Sequence, residues 1–80
     1  MKNYQDIFTK IKDAIATASR NQATAEKHLQ MIKYADQLEN ITAKEFCEGT
    51  DLAASYGTEF SKMRNITTRL KAAGLDVNKI

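Results

Sequence analysis

The chain has no proline, a single cysteine and only three glycines in 80 residues. Without proline, no residue lacks the N–H that a helix interior needs, and helix is favoured over turn-rich β structure. A lone cysteine, Cys47, excludes an internal disulfide, so folding does not depend on an oxidising compartment. No apolar run approaches the roughly 20 residues that span a bilayer. The opening MKNYQDIFTKIKDAI mixes acids with lysines and lacks the apolar segment of a secretory leader. A cytoplasmic protein without a membrane partner is therefore expected. Equally absent are a glycine-rich phosphate loop, HExxH, CxxC, and a carboxylate pair in a setting that suggests acid–base work. No enzyme, cofactor, metal site or small-molecule ligand is expected. His28, the only histidine, has no ligand-type residue at metal spacing and reads as a partly exposed helix residue.

What is present is helical patterning in one small domain, residues 1–80, with no second core to divide. Ile7, Phe8, Ile11, Ala14, Ile15 and Ala18 recur at steps of three and four, which predicts an amphipathic helix over about 3–18. The polar Ser19-Arg20-Asn21-Gln22 reads as a short connection. A second helix is expected from about Thr24 to Glu39, with Ala25, Leu29, Ile32, Ala35 and Leu38 on its inner face and Asn40 as the stop. A third runs over about 43–50. A fourth begins near Ala53, with Phe60, Met63, Ile66 or Thr67, Leu70 and Ala73 inward and Gly74 as C-cap. It either continues as one long dimerisation helix or breaks near Asn65, where Ile66, Thr67 and Thr68 weaken helix propensity. The fold class is all-α, a four- or five-helix domain. Met31 and Met63 read as core or dimer-surface filler.

The stretch ITAKEFCEGTDLAASYGTEF, within about 42–64, carries a helix-turn-helix pattern. Thr42 and Glu45 form a capping box. Asp51 takes the tight turn, because Asp tolerates the left-handed conformation that usually calls for Gly. Leu52 plugs the corner, and small residues at Cys47 and Gly57 let two helices cross closely. Such a motif presents its second helix to the DNA major groove.

Ala53, Ala54, Ser55, Thr58, Glu59 and Lys62 are the candidate base-reading residues. Ala methyls suit thymine, Ser and Thr donate or accept, Glu accepts from cytosine, and Lys reaches guanine. The alternative for this polar face is plain solvation. Glu59 is awkward near phosphates unless Lys62 or Arg64 pairs with it. Lys44, Tyr56, Arg64 and Arg69 are candidate phosphate contacts, with Lys71 extending the track. Equally, Lys44 reads as a surface lysine, Tyr56 as a ring packed over the helix junction, and the late cations as partners of the helix dipole. Cys47 reads as a buried structural thiol.

The formal net charge is +2, but its distribution says more. Glu45, Glu48, Asp51 and Glu59 occupy 45–59 without a base, and Lys62, Arg64, Arg69 and Lys71 occupy 62–71 without an acid. One end of the molecule is thereby electropositive.

Lys33-Tyr34-Ala35-Asp36-Gln37-Leu38, placed before a Thr-capped helix, and Ser55-Tyr56-Gly57-Thr58-Glu59 together resemble the small helix-turn-helix-like proteins of bacteria and their phages. The resemblance covers about 30–64. It departs at Asp51, which stands for the turn Gly, and at Thr50, which stands for a small Ala. It implies an all-α DNA-binding fold with a regulatory role. The expected function is a sequence-specific regulator of double-stranded DNA, acting as a homodimer and reading the major groove with Ala53 to Lys62. Two other readings stay open. One is a mobile-element protein that binds and inhibits another protein, the acidic 45–59 segment meeting a basic surface. The other is a purely structural dimer assembled through helix four.

Overall fold

Ile7, Phe8 and Ile11, three and four residues apart, form the buried side of the first helix and start the core. The computed structural model describes residues 4–80. It comprises α1 (Tyr4–Thr17), α2 (Ala23–Lys33), α3 (Ala43–Thr50) and α4 (Tyr56–Ala72), with 3-10 turns at Arg20–Gln22 and Val77–Lys79. No strand occurs among the described residues. The predicted first and third helices are found as expected, except that residue 3 lies outside the described residues. Both α1 and α4 pack on α2 and α3, so the helices enclose one core in a molecule of 32 × 30 × 23 Å overall extent.

Aromatic rings run through that core. Tyr4 stacks on Phe8 at 6.4 Å between centroids, Phe8 meets Phe46 edge-on at 6.5 Å, and Phe46 stacks on Phe60 at 4.1 Å. This line ties α1 to α3 and α3 to α4, with Phe46 and Phe60 both at 0% exposure. The Phe8 ring lies so close to α3 that a Cβ on Gly49 would fall 2.3 Å from its Cε2. Glycine is required there by space.

The second helix departs from expectation at its end and on its face. It stops at Lys33, and residues 34–40 continue as turns, with Ala35 N–H reaching Ile32 O and Leu38 N–H reaching Tyr34 O. The inward residues are Met31, Tyr34, Ala35 and Leu38, while Ala25 and Leu29 are exposed. Two apolar stripes overlap in this segment, and the one ending in Tyr34 and Leu38 is taken. Gln30 is buried with it, and its amide is satisfied by Glu26 at 2.7 Å.

The fourth helix also begins later than expected. Ala53 opens a turn centred on Ala54 and Ser55, its carbonyl accepting from Tyr56 N–H, and the helix starts at Tyr56. It then runs unbroken through Asn65 to Ala72, so the β-branched run does not interrupt it. Thr67 Oγ1 donates to Met63 O, which satisfies its hydroxyl inside the helix. Gly74, at φ 114°, ends it: Leu75 N–H returns to Leu70 O and Gly74 N–H to Lys71 O, a Schellman closure.

Candidate nucleic-acid interface

Thr42 starts α3 with both halves of the capping box in place. Glu45 N–H donates to Thr42 Oγ1 at 3.1 Å, and Thr42 N–H donates to Glu45 Oε1 at 2.9 Å. At the other end Asp51 adopts φ 59° and ψ 29°, and its N–H and that of Leu52 both converge on Cys47 O. That closure turns the chain out of α3 and lays partly buried Leu52 against the core. The path then swings through residues 53–55 into α4, whose Gly57 passes close to α3. A Cβ on Gly57 would sit 3.3 Å from Ala43 Cβ and 3.9 Å from Cys47 Sγ. Small residues on both helices thus permit the close crossing, as the spacing of Cys47 and Gly57 predicts. Burial pushes the Cys47 thiol pKa up by desolvation, in keeping with a packing role.

On the outside of this crossing runs a groove of about 440 Å³. Lys44 and Glu48 of α3 line it, together with Ala54, Gly57 and Thr58. Lys44, in the first turn of α3, therefore shares one surface with Thr58 in the first turn of α4. Polar contacts fasten the other side of α4 to α2. Lys27 Nζ donates to Tyr56 Oη at 3.1 Å, and His28 Nε2 lies 3.4 Å from Glu59 Oε2.

Further along α4, Arg64 Nη1 donates to Ile41 O at 2.8 Å and Leu38 O at 3.1 Å, while its guanidinium covers the Phe60 ring at 4.6 Å. These carbonyls close the irregular turns after α2, where no continuing helix can satisfy them. Lys71 is ion-paired with Asp36.

A family model for an HTH-like domain matches residues 3–73 of the chain. The chain belongs to the HTH-like domain family. No curated protein and no solved structure matches it. An HTH-like domain points to nucleic-acid binding, and the family match agrees with the resemblance carried by the Tyr34 and Tyr56 segments. Among the described residues no helix is long and apolar enough to cross a membrane.

The HTH-like domain distributes the sequence-derived site residues unevenly. Thr58 and Lys62 lie together on the exposed side of α4, opposite buried Phe60 and Thr67. Ala53, Ala54 and Ser55 are exposed but belong to the turn, not to the helix. Glu59 is half-buried against His28, not against Lys62 or Arg64. Among the phosphate candidates, Lys44 and Arg69 are exposed, whereas Tyr56 packs its ring on the core and Arg64 is drawn to the carbonyls of 38 and 41.

The acidic segment of the HTH-like domain is largely occupied from within. Glu45 caps α3, Asp51 lies 3.7 Å from Lys12 Nζ, and Glu59 faces His28. One residue escaped the reading of the sequence. Asn65 is exposed and shares the outer stripe of α4 with Thr58, Lys62 and Arg69. The signal was available: steps of four, three and four from Thr58 reach Lys62, Asn65 and Arg69. The β-branched run that follows Asn65 masks it, because that run reads as a helix break.

Proposed function

We propose that this protein is a non-catalytic, sequence-specific regulator that binds double-stranded DNA as a homodimer in the cytoplasm. The observation that carries the reading is the exposed side of α4, where Thr58 shares a groove with Lys44 at the start of α3 and Lys62 is exposed one turn further along. In this geometry α4 enters the major groove, and the first turn of α3 crosses the backbone. Lys44 supplies a phosphate contact, aided by the positive end of the helix dipole. Lys62 supplies a donor for guanine O6 or N7, and Thr58 a hydroxyl for a base edge or its neighbouring phosphate. Lys12 beside Asp51 offsets part of the repulsion that the four neighbouring acids present to DNA.

The test is fluorescence-anisotropy binding to the duplex upstream of the protein's own gene and to a scrambled duplex, at two salt concentrations. Tighter binding to the upstream duplex is expected, with log affinity falling by about 0.9 per phosphate neutralised for each decade of salt. Lys62→Ala relaxes the preference between duplexes. Lys44→Ala weakens both alike and flattens the salt slope by about one. Absence of binding at low salt would sink the DNA reading and turn the search to protein partners.

A further inference from the structure

Asn65 occupies a position that the fold does not use. It sits near the middle of α4, where Asn is a poorer helix former than Ala, and the β-branched Ile66, Thr67 and Thr68 follow it. Its side chain is exposed and makes no hydrogen bond among the described residues. Lys62 lies one turn before it and Arg69 one turn after it, and no acid occurs between residues 62 and 71. From Thr58 to Arg69 the stripe spans about 16 Å at about 1.5 Å per residue. That length covers about five base-pair steps. The unbroken helix is what makes this possible, because a break at Asn65 would turn the later residues off the stripe.

We infer that Asn65 is a specificity-determining residue, its carboxamide reading an adenine through N6 and N7 in the major groove. The chemistry follows from the amide itself, which offers one acceptor and two donors in a plane, the complement of the adenine edge. The inference rests on the DNA-binding reading and extends it by a full helical turn beyond Lys62. Arg69, at the far end of the same stripe, holds the flanking backbone.

The decisive experiment starts from a duplex that the wild-type protein selects from a randomised DNA library. Binding to that duplex and to each of its single-base variants is then measured for wild type, Asn65→Ala and Thr68→Ala. Thr68 is also exposed but lies about a quarter-turn off the stripe. For Asn65→Ala, discrimination at one A·T pair falls by about tenfold or more, while the salt slope is unchanged and the melting temperature holds or rises. Thr68→Ala leaves the ranking of variants intact. If Asn65→Ala keeps the wild-type ranking while Lys62→Ala alters it, DNA reading stands and Asn65 is a solvated bystander. If the wild type enriches no sequence from the library, the DNA-binding reading fails, and the role of Asn65 fails with it.

Discussion

Along α4, Phe60 and Thr67 are sealed at 0% and 1% exposure, whereas Thr58, Lys62, Asn65 and Arg69 on the opposite side all stand in solvent. The inner side is governed by shape. Phe60 lies flat on Phe46, Gly57 admits Ala43 and Cys47, and the aromatic line continues to Phe8 over Gly49. The outer side is governed by availability. Its polar side chains make no hydrogen bond or ion pair among the described residues, so their hydrogen-bonding capacity is left for a ligand. Lys27, Arg64 and Lys71 show what happens between the two sides: polar and cationic groups there are taken up by the fold. A cation count taken along the sequence therefore overstates the charge presented to a partner, since Arg64 and Lys71 are both committed internally.

The contrast can be broken most forcefully at Gly49. Gly49→Ala places a methyl 2.3 Å from Phe8 Cε2 and is expected to cost about 3 kcal/mol, the upper part of the usual overpacking range. A domain of this size holds only a few kcal/mol in total, so much of the variant should be unfolded at room temperature by circular dichroism. A denaturation midpoint equal to wild type would remove the close α1–α3 approach from the account.

A smaller effect is expected at Arg64. Arg64→Met keeps the apolar stem over Phe60 but removes the donors to Leu38 O and Ile41 O, costing about 1.5 kcal/mol. Amide exchange over residues 34–41 should quicken while the salt slope of DNA binding stays as in wild type. A flattened slope would return Arg64 to the phosphate-contacting set.

The smallest effect is at Thr42. Thr42→Ala removes half of the capping box and should lower stability by about 1 kcal/mol. Urea unfolding measures it, and a loss below a few tenths of a kcal/mol would mean that solvent replaces the cap without penalty.

Features decided by neighbours in sequence were legible before the structure. The capping box of Thr42 and Glu45, the left-handed Asp51, the Gly74 closure and the small pair at Cys47 and Gly57 each express a short-range rule. The end of α2 was not legible, because Tyr34 to Asn40 contains no proline or glycine to mark a break. The turns there are held by tertiary contacts, including an arginine more than twenty residues away. The inner face of this segment was legible only in part: Ala35 and Leu38 are buried as expected, but Met31 is buried where Leu29 was expected, and only packing chooses between two comparably apolar residues. The late start of α4 follows from the Cys47-centred closure, which overrides the good helix propensity of Ala53 and Ala54. In the candidate site, chemistry and spacing nominate Thr58, Lys62, Lys44 and Arg69, but which polar groups stay unengaged is decided by the three-dimensional arrangement.

Cys47 gives the crossing a built-in clock. At 5% exposure and wedged near Gly57, its thiol is shielded while α3 and α4 remain together. An alkylating reagent can reach it freely only when the crossing opens, so labelling kinetics report how often that happens. With one cysteine in the chain, no second thiol blurs the signal. The breathing of the two helices that frame the groove can thus be timed in the wild-type protein, without any engineered probe.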